Sequence, residues 1–208
     1  MTFQSFVDNL NEKLALPLPG HESHKRMMHL ERLLTKIEPN NFTKKSAVLV
    51  VFYPDENKIQ LPLILRPAYD GKHGGQMALP GGKMELMDES LARTALREAQ
   101  EEIGIKAIDV KILGELTEIF IPVSNFSVKP FVGVLDYKPD FFPDQREVEK
   151  IFEVSFNSFV NQKELVYKPI KIASKVVDVP GYEIDDQWVW GATALIMHEL
   201  IEVFNKEL

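Results

Sequence analysis

The sequence predicts an α+β fold, an α/β/α sandwich with a mixed β-sheet and an N-terminal helical arm. Apolar runs of the β type lie on both sides of one amphipathic helix, and a second long apolar helix lies near the end. Strands and helices do not alternate regularly, which argues against a doubly wound parallel sheet. With 208 residues, 45% of them hydrophobic, the chain is long enough for one domain with a substantial core.

Composition narrows the classes of partner. The formal net charge is -7, whereas nonspecific binding to nucleic acid or to anionic membranes favours a basic surface. There is no cysteine, so disulfides and thiolate zinc sites are excluded. The start lacks a signal-peptide pattern, and no stretch reaches the roughly 18–20 apolar residues of a membrane span. We expect a soluble, cytoplasmic protein that binds neither nucleic acid nor membrane; a homodimer is compatible with the sequence.

Residues 1–42 are expected to form a helical arm that precedes the main domain, residues 43–208. Residues 3–16 have apolar side chains at helical spacing, which predicts a short amphipathic helix. Proline and glycine then interrupt the pattern, and residues 22–36 fit either a second helix or an ordered arm. Three histidines lie in this region, but no zinc site is expected because no convincing carboxylate accompanies them: His21, His24 and His29.

Runs typical of β-strands make up most of the remaining chain. Residues 45–53 are apolar and β-branched, which predicts a buried strand, and residues 59–66 are its expected hairpin partner. Another hairpin is predicted around Pro180-Gly181. Residues 192–206 have the periodicity of a terminal helix. Further β-type runs cover residues 107–113, 117–121, 128–137 and 150–156.

A central helix is predicted over residues 89–103, with Asp88 as its N-cap and Gly104 as its C-cap. It follows a glycine-rich loop, residues 70–83. At about 100° per residue, the apolar side chains fall on the side that should face the core: Leu91, Ala92, Ala95, Leu96, Ala99 and Ile103. Three carboxylates fall on an adjoining arc: Glu98, Glu101 and Glu102.

These carboxylates have two interpretations. Taken alone, a Glu-x-x-Glu-Glu stretch on a helix is more often an ordinary solvated acidic face. Carboxylates one turn apart repel one another unless a cation compensates, however, and hard cations such as Mg²⁺ bridge carboxylates to phosphates. The neighbouring glycine-rich loop favours this second interpretation, because glycines let backbone N–H groups approach an anion closely.

The stretch from Gly81-Gly82-Lys83 to Gly104-Ile105 resembles the Nudix box, the signature of the Nudix hydrolases. Its second half, from Arg97 onwards, matches the family pattern completely. Glu89 is separated from Arg97 by seven residues, as the pattern asks, but from Gly82 by six residues where the pattern has five. Counting from Gly82 gives Asp88 instead. One extra loop residue accounts for the difference, and it is expected of the coenzyme A diphosphatase branch of the family.

Other segments resemble the same branch. The loop 73–83 is similar to its His-x-Gly-Gln-x-x-Phe-Pro-Gly-Gly element, with Leu79 in place of Phe. Residues 147–154 and 190–194 are similar to segments further along the branch. Where the branch has Thr-x-Arg-Ser, this chain retains Arg66 but has Pro67 in place of Ser. Since that segment is associated with coenzyme A recognition, the departure leaves the substrate open.

The resemblance implies a Nudix-like fold and a metal-dependent hydrolase that cleaves a diphosphate bond in a nucleotide derivative. Coenzyme A or an acyl-coenzyme A is the expected substrate, a small molecule, and Mg²⁺ or Mn²⁺ is the expected cofactor. The alternatives are ADP-ribose, a dinucleotide or a nucleoside triphosphate. A Nudix-fold binding module without turnover belongs to a different class, and the intact glutamates argue against it.

The resemblance also implies residue roles. Glu98 and Glu102 are expected to bind the metal, with Glu101 beside them as ligand or general base. Arg97 is expected to orient a carboxylate through an ion pair with Glu89. The remaining candidates for the general base are Glu115, Glu118 and Glu147, and the expected substrate-binding residues are Arg66, Lys72, Gln76, Gly81, Gly82 and Lys83.

Overall fold

A computed structural model describes residues 1–35, 37–68, 73–162, 164–172 and 175–207. Within these ranges it confirms the predicted α+β fold, because helices lie on both sides of a mixed sheet and a helix lies near the N-terminus. No helix in the described ranges is long and apolar enough to cross a membrane.

The described residues form six α-helices and eleven strands. The helices are α1 (Phe3–Leu14), α2 (His21–Arg26), α3 (Leu30–Leu34), α4 (Leu91–Ile103), α5 (Phe156–Val160) and α6 (Gly191–Asn205). The strands are β1 (Lys44–Asp55), β2 (Lys58–Leu65), β3 (Met77–Ala78), β4 (Gly81–Lys83), β5 (Lys111–Glu115), β6 (Ile119–Ile121), β7 (Phe126–Val134), β8 (Lys150–Ser155), β9 (Val166–Ile172), β10 (Lys175–Ile184) and β11 (Gln187–Trp190). A short 3-10 helix, Ala107–Asp109, precedes β5.

The main sheet is built around β1. This strand pairs in parallel with β7 and antiparallel with β2 and β4. Strand β2 pairs with β3 and β8, and β7 pairs with β5 and β6, all antiparallel. Strands β9, β10 and β11 form a second, three-stranded antiparallel sheet. The hairpin of β1 with β2 is the one that the sequence predicted.

Both faces of β1 are covered, as its continuous apolar run predicted. Because side chains alternate across a strand, Val50 and Phe52 join a core cluster with α1 and α6, whereas Leu49 and Val51 join another with α4. All four side chains are fully buried. Helices α4 and α6 therefore pack on opposite faces of the sheet.

The N-terminal arm shares the core of the main domain. Phe6 and Leu10 of α1 are fully buried, and the Phe6 ring packs edge-on against Phe52 of β1 at 5.0 Å between ring centroids. The predicted region 22–36 contains two short helices, α2 and α3, with Lys36 outside the described residues. Burial of these aromatic rings makes the arm a structural part of the sandwich.

The predicted hairpin at Pro180-Gly181 is wrong. Both residues lie inside β10, and the turn to β11 is at Asp185 and Asp186, which have φ values of +48° and +61°. Gly181 is required there for close packing rather than for a turn, since a Cβ would lie 2.3 Å from Nε1 of Trp188. Aspartate tolerates the left-handed conformation of such a turn.

Candidate active site

Helix α4 begins at Leu91, two residues later than predicted. Its N-cap is Ser90, whose side chain accepts a hydrogen bond from the backbone N–H of Arg93. The prediction of Asp88 as N-cap is therefore wrong. The predicted end is confirmed, because Gly104 adopts the left-handed conformation (φ +76°) and its N–H donates to Gln100.

Asp88 instead forms the ion pair that the sequence assigned to Glu89. The Arg97 guanidinium donates two hydrogen bonds to the Asp88 carboxylate, at 2.9 and 2.8 Å, and the Thr94 hydroxyl donates a third at 3.0 Å. The bond from Arg97 holds the pKa of Asp88 well below its usual range. Glu89 is exposed. Counting back from Arg97 failed because residues 88–90 are not helical, so helical spacing does not apply to them.

Three carboxylates come together at the C-terminal half of α4. Glu98, Glu102 and Glu147 each offer an oxygen, and these oxygens lie within 4.8 Å of one another. Glu98 and Glu102 share a face because they are one turn apart. Like charges this close favour a cation between them.

Glu147 reaches the cluster because its loop is anchored to the end of α4. The last carbonyls of a helix lack partners within the helix, and here loop N–H groups satisfy two of them: Phe142 donates to Ile103 and Asp144 to Glu102, each at 3.0 Å. The N–H of Glu147 donates to Asp144 in the following turn. These bonds bring Glu147 beside α4 despite a separation of 45 residues from Glu102.

Glu102 is the most buried member, with 2% of its surface exposed. It accepts a hydrogen bond of 2.7 Å from the N–H of Gly81, and the Arg66 guanidinium lies 3.7 Å from its other oxygen. Burial raises the pKa of Glu102 to about 7 and also raises the pKa of Glu98. A buried carboxylate with so few compensating donors is well suited to binding a cation.

The glycine-rich loop fits against this cluster only without side chains. A Cβ on Gly82 would lie 2.4 Å from the carboxylate carbon of Glu98. Such a contact is far below the sum of van der Waals radii, so any side chain would displace Glu98. Gly82 thus shapes the site by close packing, and Gly81 contributes its N–H group.

Glu101 is not part of the carboxylate cluster of the described residues. Its carboxylate accepts a hydrogen bond of 2.9 Å from Arg97, and its side chain is 58% exposed. Arg97 contacts Glu98 as well, at 3.0 Å. The third carboxylate of the cluster is therefore Glu147 and not Glu101, because Arg97 holds Glu101 on the solvent side of α4.

Comparison with known proteins agrees with this geometry. The sequence matches the NUDIX domain over residues 43–173, more than half of the chain. It is 36% identical, over 81% of this chain and 87% of the relative, to an uncharacterized Nudix hydrolase, NudL, of Pectobacterium atrosepticum.

The chain belongs to the Nudix hydrolase family.

A NudL relative from Yersinia enterocolitica is 32% identical over 83% of this Nudix hydrolase and 89% of its own length. Two solved structures share the fold. A MutT protein of Methanosarcina mazei has a TM-score of 0.52 at 19% identity, covering 83% of this chain and all of that one. A MutT/nudix family protein of Enterococcus faecalis has a TM-score of 0.52 at 12% identity, covering 92% of this chain and 81% of its own.

Nudix hydrolases generally use divalent metal ions, and the donor set here fits one. The cluster offers only carboxylate oxygens, the ligands that hard cations such as Mg²⁺ and Mn²⁺ prefer. Glu98 and Glu102 lie one turn apart on α4, and Glu147 is exposed on a neighbouring loop. The residues present therefore suit a divalent cation of this class.

The carboxylates open into a cleft of about 1110 Å³. Of the predicted substrate-binding residues, Arg66, Gln76 and Lys83 line this cleft together with Gly81 and Gly82. Lys72 lies outside the described residues. The other predicted bases are engaged elsewhere: Glu115 pairs with Lys129, Glu118 accepts from Ser127, and neither is among the described residues that line the cleft.

The sequence did not predict one wall of the cleft. Met27, Met28 and Arg32 of the N-terminal arm line it, as does Ile196 of α6. These residues looked like ordinary core or surface positions because nothing in their spacing refers to the Nudix box. A possible signal was the Met27-Met28 pair, since methionine is common on surfaces that bind varied apolar groups.

Proposed function

We propose that this Nudix hydrolase cleaves the diphosphate bond of coenzyme A or an acyl-coenzyme A with Mg²⁺ or Mn²⁺. The products are adenosine 3′,5′-bisphosphate and 4′-phosphopantetheine or its acyl derivative. The observation that carries the proposal is the carboxylate cluster of Glu98, Glu102 and Glu147 inside one large cleft. The loop 73–83, which resembles the coenzyme A branch, borders the same cleft and favours this substrate over other nucleotides.

Each side chain of the site has a task in this reaction. Glu98 and Glu102 would hold the metal ion, which polarises the diphosphate and acidifies a water molecule when it is bound, and Glu147 lies beside them in the same cluster. Arg66, partly exposed beside Glu102, is placed to attract the negative phosphates. Arg97 does not need to contact substrate, because its bonds to Asp88, Glu98 and Glu101 already fix the loop against α4.

The general base is best assigned between two carboxylates that border the cleft. Glu101 accepts a hydrogen bond from Arg97 on the solvent side of α4 and lies outside the carboxylate cluster of the described residues. Glu147 is exposed and lies in the cluster, where a water molecule near the metal would be within reach. We therefore favour Glu147 as the residue that removes the proton of the attacking water.

The alternative substrates are ADP-ribose, a dinucleotide or a nucleoside triphosphate, which share the diphosphate. They remain alternatives because Pro67, beside Arg66, replaces the Ser of the segment that is associated with coenzyme A recognition. Product analysis of each compound with Mg²⁺, and separately with Mn²⁺, tests the proposal. We expect coenzyme A to give the highest kcat/KM. Cleavage of ADP-ribose with no cleavage of coenzyme A would overturn the substrate, and no cleavage of any compound would favour a binding module.

A further inference from the structure

The cleft has a second wall that comes from outside the residues that match the NUDIX domain. That match ends at residue 173 and begins at residue 43. From the cleft-lining residues beyond these limits we select four apolar side chains and call them the arm wall: Met27, Met28, Val179 and Ile196. The carboxylate cluster lies within the matched residues, so the arm wall is a separate part of the cleft lining.

The arm wall is apolar and firmly packed. Met27, Val179 and Ile196 expose only 1%, 4% and 2% of their surfaces. Met27 and Ile196 belong to the core cluster that contains α6. Met28 is half-buried at the edge of this surface. Glu98 and Glu102 come from α4, on the other face of β1, and Glu147 comes from the loop beside it, so the cleft connects an acidic side to an apolar side. A charged group would lose hydration against the arm wall, whereas an alkyl group would gain from burial.

The arm is held in place by a buried carboxylate of α6. Glu199 is fully buried and accepts bonds from Nε2 of His24 at 3.0 Å and from the N–H of Gly20 at 3.1 Å. The backbone N–H and the hydroxyl of Thr117 add two more, at 3.1 and 2.6 Å. Four donors satisfy the carboxylate and join α2, α6 and the segment before β6. This network fixes the backbone that carries Met27 and Met28.

We propose that the arm wall binds the acyl chain of an acyl-coenzyme A and that Glu199 is a positioning residue for this wall. The inference rests on the proposed function, which places the diphosphate of the same molecule at the carboxylate cluster. One molecule can reach both because the carboxylates and the arm wall line one cleft. Methionine side chains adapt to the shape of a flexible chain, which suits acyl groups of several lengths.

Binding without turnover tests the inference. Titration calorimetry in EDTA measures the Kd of coenzyme A, butyryl-coenzyme A and octanoyl-coenzyme A with the full chain. We expect the octanoyl compound to bind at least about tenfold more tightly than coenzyme A, equivalent to burying about two methylenes. A Kd that does not depend on chain length would overturn the inference.

Two variants of the arm localise the effect. Met28→Gln keeps the size of the side chain but makes it polar, and we expect it to reduce the gain, measured as the ratio of the Kd of coenzyme A to that of octanoyl-coenzyme A, from tenfold to less than about threefold. Leu30→Gln is the matched control, because Leu30 is on the same arm, 68% exposed and outside the described lining of the cleft. Equal gains in the two variants would contradict the assignment of the arm wall.

A third variant tests the positioning role. Thr117→Val removes the hydroxyl donor to Glu199 and leaves the backbone donor in place. We expect the KM for octanoyl-coenzyme A to rise severalfold while kcat and the KM for coenzyme A stay unchanged. An unchanged KM for octanoyl-coenzyme A would show that Glu199 does not position the wall.

The two proposals fail separately. If metal restores no cleavage of coenzyme A although Kd falls with chain length, the proposed reaction is wrong and the arm wall stands. If coenzyme A is cleaved but Kd is independent of chain length, the arm wall is wrong and the reaction stands.

Discussion

The two walls of the cleft are built in different ways. The acidic wall takes its two best-held carboxylates, Glu98 and Glu102, from a single turn of α4. The arm wall takes its side chains from the two residues that follow α2, from β10 and from α6, which are far apart in the chain. The two helix carboxylates of the cluster thus depend on local spacing, whereas the arm wall depends on the whole fold. The following predictions test this difference.

The largest effect is expected at Glu102. Glu102→Gln keeps the shape and the bond from Gly81 but removes the negative charge of a buried ligand. Turnover should fall by at least about a hundredfold, since changes even outside the first coordination sphere cost 10- to 100-fold in metal sites. Steady-state kinetics with a metal titration measures this. Glu149→Gln, an exposed acid outside the described lining of the cleft, is the control. Full activity of Glu102→Gln would refute the metal assignment.

The next effect distinguishes Glu147 from Glu101. Glu147→Gln should lower kcat by at least about tenfold, because it removes a member of the cluster and the favoured base. Glu101→Gln should lower kcat less, since Glu101 is exposed and paired with Arg97. Parallel measurements of kcat against pH compare the two. A larger loss with Glu101→Gln would return the role of base to that residue.

A smaller effect concerns the support of the acidic wall. Asp88→Asn weakens the buried contacts to Arg97 and Thr94 and should lower the free energy of unfolding by about 1–3 kcal/mol. Glu89→Gln should change it little because Glu89 is exposed. Urea denaturation of both variants gives the comparison. The reverse order would mean that the register of the Nudix box, counted back from Arg97, had been correct.

The ion pair between Asp88 and Arg97 predicts that the free energy of unfolding depends on pH under acidic conditions. The folded-state pKa of Asp88 is lowered, so its contribution is fully present above its unfolded value of about 3.9 and is lost as the pH falls through the folded value. As the pH falls below about 4, the free energy of unfolding of the wild type should therefore decrease more than that of Asp88→Asn. Denaturation curves at several pH values measure the two slopes. Identical slopes would show that Asp88 is not held as a charged partner of Arg97.

The smallest effect is expected for an exposed ion pair between the arm and β10. Lys175 and Glu31 form an exposed ion pair of 2.6 Å that links β10 to α3. Exposed pairs contribute little because solvent screens them. Glu31→Gln should leave the KM for octanoyl-coenzyme A within about twofold of the wild type, in contrast to Thr117→Val. A rise like that of Thr117→Val would mean that the surface pair, and not the buried network, holds the arm.

Much of the fold could be predicted because it depends on periodicity. The run around Val50 and Phe52 gave a strand covered on both faces, and the apolar stripe of α4 gave its core side. The wrong predictions concern residues whose type is favoured in more than one structural setting. Pro180-Gly181 suggested a turn, but Gly181 is there because Trp188 packs against it. Asp88 suggested a cap, but its carboxylate is held by Arg97.

The sequence by itself determined the family, the helix with Glu98 and Glu102, and the glycines beside it, because these features act over one or two helical turns. Only the tertiary structure decided that Glu147 joins them, that Asp88 pairs with Arg97 and that the arm lines the cleft. The reason is physical: hydrogen bonds to the free carbonyls of α4 and burial against α6 join segments that are distant in the chain. The spacing of residues along the sequence does not predict such long-range contacts.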